Sequence, residues 1–245
     1  MRRIVIFFTA FMMAQVAVSG QNSSTIQLSS PEFAKIIVEE KGVLLDVRTQ
    51  REFQNGHIEN GGNLNFYAFD FRKRLLLLPK DQPIYLYCNT GYRSDRAADF
   101  LLKNGYQQVY NLQHGIMEWD LHDLPVAIDP NAQPDMDDKF EPSEFAGLIE
   151  SEPVVFVDFY APWCGPCRQM MPTIDSLRVE YHERIPVVKV NADASKRLMR
   201  EMELVTLPYL VLYRNGDMVF DHRGIMSREE IVALLEANLP FKVNR

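Results

Sequence analysis

Trp163-Cys164-Gly165-Pro166-Cys167 joins an apolar run, residues 154–160, to a segment of helical character, residues 168–181. A strand, a tight turn and a helix N-terminus therefore meet at Cys164. Free backbone N–H groups and the positive end of the helix dipole favour a thiolate there. Two intervening residues let Cys167 close a disulfide onto Cys164, with Cys164 the exposed attacking thiol and Cys167 the more buried resolving one. A structural zinc site fits poorly. It needs four ligands, and the chain offers one further cysteine, Cys88, and no histidine pair at ligand spacing. A purely structural disulfide across so short a loop would stabilise little.

With Val157-Asp158-Phe159-Tyr160-Ala161-Pro162 ahead of it, this stretch resembles a thioredoxin, and the resemblance covers about residues 140–239. It implies a thioredoxin fold with a redox-active Cys164–Cys167 pair. Asp158 falls where the family keeps a buried acid that assists proton transfer to the resolving cysteine. Pro208 falls where it has a cis-proline beside the disulfide, and Gly224 where it has a glycine near it. Lys189 falls near the acid. Leu207 and Trp163 would touch a bound substrate. Without the resemblance, Asp158 reads equally as a strand-end acid, Pro208 as a strand-initiating proline and Lys189 as a surface lysine.

The chain has 245 residues, room for two domains of ordinary size. Its formal charge of −7 argues against nucleic acid or an anionic membrane as partner. No phosphate-binding glycine loop is present, and neither a cofactor nor a metal is expected. Arg2-Arg3, an apolar stretch over residues 4–18 and the small residues Ala17-Val18-Ser19-Gly20 read as a signal peptide over residues 1–20. Its loss would take the charge to −9 by removing both arginines. An exported, periplasmic location is the expectation, and an uncleaved anchor is the alternative. Three cysteines are too few, and odd in number, for a disulfide-stapled secreted domain.

Residues 25–128 alternate strand-like and helix-like segments, an α/β pattern with a largely parallel sheet. Ser30-Pro31-Glu32-Phe33 reads as a helix start with Ser30 as cap. Residues 43–47, 84–88 and 109–112 read as strands, and residues 94–103 as an amphipathic helix closed by Gly105. The second chemical element is Cys88-Asn89-Thr90-Gly91-Tyr92-Arg93-Ser94. A strand-end cysteine is followed by a short loop and a helix start. Such a loop aims successive N–H groups at one point. Gly91 permits the turn and Arg93 supplies a fixed positive charge, so the thiol pKa would fall and an anion would bind. A buried, inert strand-end cysteine is the plain alternative.

Leu45-Asp46-Val47-Arg48, Glu52-Phe53, Gly56-His57-Ile58, Asn63-Leu64, the loop from Cys88 to Ser94, Asn111-Leu112 and Trp119 together resemble a single-domain rhodanese. The resemblance implies that Cys88 accepts a sulfane sulfur as a persulfide, held by Arg93 and by the loop residues Asn89, Thr90, Gly91, Tyr92 and Ser94. His114-Gly115 departs from the family's two glycines; a structural role is expected for His114 and for His57. Arg72-Lys73-Arg74 reads as a solvated helix face.

Residues 129–138, rich in proline and aspartate, read as a linker, and residues 139–241 as the thioredoxin-like domain. The two resemblances imply an exported sulfurtransferase and oxidoreductase in which the Cys164–Cys167 dithiol reduces a persulfide on Cys88 and releases sulfide. Its partners would be a sulfane-sulfur donor such as thiosulfate or a persulfide, oxidised protein thiols, and a membrane or soluble thiol electron donor. The alternatives are a general protein disulfide reductase whose first half is a docking module, and a redox or sulfur sensor.

Overall fold

A computed structural model describes residues 24–239; the expected signal peptide lies outside the described residues. The first half runs β1 (Ile26–Leu28), α1 (Ser30–Glu39), β2 (Val43–Asp46), α2 (Gln50–Gln54), β3 (Gly62–Asn63), α3 (Phe71–Leu75), β4 (Ile84–Tyr87), α4 (Tyr92–Lys103), β5 (Val109–Leu112) and α5 (Gly115–Leu121). Its five strands are ordered β1-β5-β4-β2-β3, and every pairing is parallel. Strand β4, Ile-Tyr-Leu-Tyr, is buried on both faces because helices cover both sides of such a sheet. Ile84 and Leu86 join one apolar cluster. Tyr85 and Tyr87 join the other, with Phe33 and Trp119. Burial of each such side chain contributes about 1.5–3 kcal/mol.

The second half runs α6 (Pro142–Ser151), β6 (Val154–Tyr160), α7 (Gly165–Glu180), β7 (Val187–Asn191), α8 (Lys196–Glu201), β8 (Tyr209–Arg214), β9 (Asp217–Arg223) and α9 (Arg228–Ala237). Its strands are ordered β7-β6-β8-β9, with β6–β7 parallel and the others antiparallel. Strand β6 is buried throughout. Val155, Val157 and Phe159 face one core layer and Val154 and Phe156 the other. Asn215 and Gly216, both at positive φ, make the tight β8–β9 turn.

The mixed α/β architecture, with a parallel sheet followed by a second unit, is the one the sequence implies. Two local expectations need correcting. The cap of α1 is Ser29, not Ser30, because Glu32 lies three residues after Ser29 and closes a capping box with it. Helix α4 starts at Tyr92 rather than Ser94, because Gly91 at φ 83 turns the chain directly into it. The expected linker, residues 129–138, is tied to the protein at its two ends. His57 and Ala127 form a β-bridge, the Asp129 N–H donates to the Gln54 carbonyl, and the Asp138 carbonyl accepts from the Asn191 N–H.

Candidate active site

Cys164 is the N-cap of α7, and it is bonded to Cys167. Its sulfur accepts the Cys167 N–H at 3.1 Å, so the first turn of the helix points a donor at the atom that becomes a thiolate on reduction. Contrary to the sequence expectation, Cys164 is not exposed: 4% of its surface is accessible, against 1% for Cys167. Both sit in one apolar cluster with Tyr160, Ala161 and Tyr209, and Trp163 and Leu207 pack against that cluster. The Leu207–Pro208 bond is cis, and the Pro208 carbonyl accepts the Gly224 N–H at 2.9 Å. Trp163, Cys164, Cys167, Leu207, Pro208 and Gly224 are thus gathered in one unit.

Asp158 is 1% exposed on β6, and its Oδ1 has no hydrogen-bond partner among the described residues. Burial pushes its pKa up to about 7; Lys189 opposes the rise, and Asp175 and Asp138 add to it. Lys189 is the residue beside Asp158 in the β6–β7 register. Its ammonium turns instead to Asp175 at 2.8 Å and Asp138 at 3.8 Å. Asp158 therefore has a neighbouring charge and no partner, which suits a group that takes up and releases a proton near neutral pH.

Cys88 follows β4 directly and is free and buried. Gly91 has no room for a side chain: a Cβ there would lie 1.9 Å from the Gln113 carbonyl oxygen. The N–H groups from Asn89 to Ser94 donate to no protein acceptor among the described residues. Unpaired N–H groups are what a loop expected to cradle an anion would present. The Gly91 carbonyl accepts from the Asp95 N–H, the Ser94 hydroxyl and the Asn111 amide. Thr90 is half-buried, and Tyr92 turns outward, 66% exposed, against Arg96.

Arg93, expected as a fixed positive charge, does not stand free. Its guanidinium pairs with Glu52 at 2.9 Å and is almost fully buried. Burial works against its charge, but Glu52 and the nearby Cys88 raise its pKa. Glu52 also accepts from the Asn89 amide at 2.6 Å and closes the Thr49 capping box of α2. Burial opposes its ionisation, yet Arg93 and Thr49 hold its pKa below the usual carboxylate value. Arg48 binds Asp46 at 2.7 Å, the Asn89 side chain at 3.2 Å and the Gly56 carbonyl at 2.6 Å. Sequence reasoning placed Asp46, Arg48 and Glu52 in the framework and missed their hold on the loop. The Thr49-x-x-Glu52 spacing signals a helix cap, and nothing in it signals the second partner. His57 stacks on Phe53 and bonds its carbonyl, as a structural residue would. His114 and the Arg72-Lys73-Arg74 run are exposed.

Helix α5 connects the two cysteine centres. Its Ile116 and Met117 N–H groups donate to the carbonyls of Cys88 and Asn89. The Met117 side chain packs against the cluster that contains Cys164 and Cys167. Asp120, one turn on, pairs with Lys196 of α8 at 3.0 Å. Beside this contact lies a cleft of about 760 Å³, bordered by Glu52, Arg48 and Tyr67 from the first half and by Pro162, Trp163 and Asp193 from the second. The Trp163 indole N–H donates to Asp193 at 2.9 Å. The structure thus brings the surroundings of both centres to one cleft, while neither Cys88 nor Cys164 lines it.

The thioredoxin family model matches residues 138–237, and the rhodanese-like domain model matches residues 29–122. Thioredoxin 1 of Nostoc sp. is 34% identical over 92 residues, which is 38% of this chain and 86% of that protein. The thioredoxin of Porphyra purpurea is 39% identical over 88 residues, 36% of this chain and 82% of that protein. Among solved structures, oxidised mitochondrial thioredoxin 3 of Saccharomyces cerevisiae is similar at 29% identity and a TM-score of 0.37, over 40% of this chain and 92% of that one.

Proposed function

Because the chain belongs to the thioredoxin family and carries a rhodanese-like domain ahead of that fold, we propose that Cys88 carries a sulfane sulfur which the Cys164–Cys167 dithiol reduces to sulfide. The observation that supports this most is α5, whose first turn holds the Cys88 loop by two backbone hydrogen bonds while Met117 of the same turn packs on the disulfide's own cluster.

The chemistry proceeds by thiol–disulfide exchange. Cys88 thiolate attacks the outer sulfur of a donor R–S–SH. A bond forms between Cys88 and that sulfur, the old S–S bond breaks, and R–S⁻ leaves with the electron pair. Cys164 thiolate next takes the outer sulfur from Cys88–S–SH, releasing Cys88 thiolate and becoming Cys164–S–SH. Cys167 thiolate attacks the inner sulfur, closes the disulfide and expels HS⁻. The dithiol supplies the two electrons that take the sulfur to sulfide. Asp158 accepts the proton from the Cys167 thiol in this last step. The disulfide is then returned to the dithiol by a thiol donor, membrane-bound or soluble. The leader over residues 1–20 would place this cycle in the periplasm.

A second reading, reduction of oxidised protein thiols in general with the first half as a docking module, is favoured by the exposed Gly165, Pro166, Thr206 and Ile225 around the disulfide. The test is single-turnover sulfide release from a persulfide donor by pre-reduced protein. Cys88→Ala and Cys164→Ser are each expected to abolish it. Undiminished release by Cys88→Ala would refute the coupling and leave the second reading.

A further inference from the structure

The charges around Cys88 cancel. Arg93 is taken by Glu52 and Arg48 by Asp46, both in buried pairs. Glu52 is itself fixed by Thr49 and Asn89. An incoming dianion such as thiosulfate, approaching a thiolate, would find the loop N–H groups but no unmatched cation within the loop itself, where Arg93 and Arg48 are both paired, and separating a buried pair is costly. An organic persulfide, whose carboxylates lie several bonds from the reacting sulfur, need not bring them into the loop and meets no such penalty.

The adjoining cleft, about 760 Å³, is the size of a site for a drug-sized organic molecule and far exceeds a small inorganic anion. Its walls carry charges of both signs. Arg51, Arg168 and Arg200 border it, and none of them pairs with a carboxylate among the described residues. Asp123 and Asp193 border it too, beside the apolar Leu124.

We propose that this cleft binds the sulfur donor, that the donor is a peptide-sized organic persulfide carrying both ammonium and carboxylate groups, and that Glu52 selects it over thiosulfate by neutralising Arg93. The proposal rests on the reading that Cys88 accepts sulfur. In the transfer, Cys88 thiolate bonds to the outer sulfur and the peptide thiolate leaves with the electron pair. The cleft arginines hold the carrier's carboxylates throughout.

The test is the rate at which Cys88 gains one sulfur atom, read by intact mass in full-length protein with Cys164→Ser and Cys167→Ser. Glutathione persulfide and thiosulfate serve as donors at equal concentration. The peptide persulfide is expected to load about tenfold faster. Glu52→Gln is expected to shift the ratio of the two rates about fivefold toward thiosulfate. Ala194→Trp, which fills the cleft from the second half, is expected to lower the ratio about tenfold. If that variant fails to fold, Arg200→Ala is measured in its place and is expected to lower the ratio in the same direction. Thiosulfate loading as fast as the peptide persulfide would overturn the inference while leaving Cys88 as the acceptor. A ratio unmoved by the cleft variants would overturn the cleft's role in the same way. Loading of Cys88 by neither donor would overturn the underlying reading as well.

Discussion

Asp158 shows how one residue's surroundings set both stability and chemistry. Its carboxyl keeps a proton up to about pH 7 in the folded chain, against 3.8 for the ordinary group, chiefly because burial disfavours the charge. Between those two values the folded state binds more protons than the unfolded state. Stability is therefore lost as pH rises through that window, and the loss is complete above about 7. Asp158→Asn removes the charge without the volume. The oxidised variant is expected to be more stable than wild type by on the order of 2–4 kcal/mol at pH 8, with the gain closing toward zero near pH 4. Denaturant unfolding at the two pH values checks this, and a difference that does not change with pH would count against it. Asp158 was singled out in the sequence through the thioredoxin resemblance, since its strand position alone reads equally as a strand-end acid. Glu52 was not. Its spacing from Thr49 declares a helix cap, while its contact with Arg93 crosses 41 residues and exists only once the sheet has formed.

At the scale of elements, the loop from Cys88 to the start of α4 depends on two glycines. Gly91 sits at φ 83 and Gly115 at φ 65, where a Cβ would lie 2.3 Å from the Asn89 carbonyl carbon. His114, at φ −106, needs no glycine. The departure from the family's glycine pair is thus absorbed without cost, because only its second position meets the loop. Gly91→Ala sets a side chain against backbone that cannot yield, and it is expected to cost on the order of 3–5 kcal/mol. Urea unfolding of the first half should show this loss together with failure of Cys88 to accept sulfur, while Cys164–Cys167 still reduces a protein disulfide. Wild-type sulfur loading by Gly91→Ala would show that the loop does not need this turn. Element types were legible from period: β4 and β6 are apolar runs of strand length, and α4 repeats its apolar positions at helical spacing. Ends were less so. Helix α1 begins one residue earlier than its proline suggested, because the cap is set by Glu32 reaching back to Ser29.

At the scale of the whole molecule, the arrangement of the two halves was not legible at all. Composition marks residues 129–138 as a connection, but an extended chain says nothing of what it brings together. The contacts that join the halves, Met117 on the disulfide's cluster and Asp120 with Lys196, lie on α5 and α8, and nothing in either stretch of sequence declares a partner. If the two thiols react as proposed, joining them in one chain raises their effective concentration to roughly millimolar for a short connection. On the proposed transfer, Cys88 and Cys164, both covered in this structure, must become accessible to one another. Sulfur transfer within one chain is best tested by following sulfide release after pre-reduced protein is loaded with one sulfur at Cys88, across a wide range of protein concentration. A first-order rate that does not change with concentration, with an equimolar mixture of Cys88→Ala and Cys164→Ser chains far slower than wild type, is the predicted result. A rate that rises in proportion to concentration, or a mixture as fast as wild type, would contradict transfer within one chain.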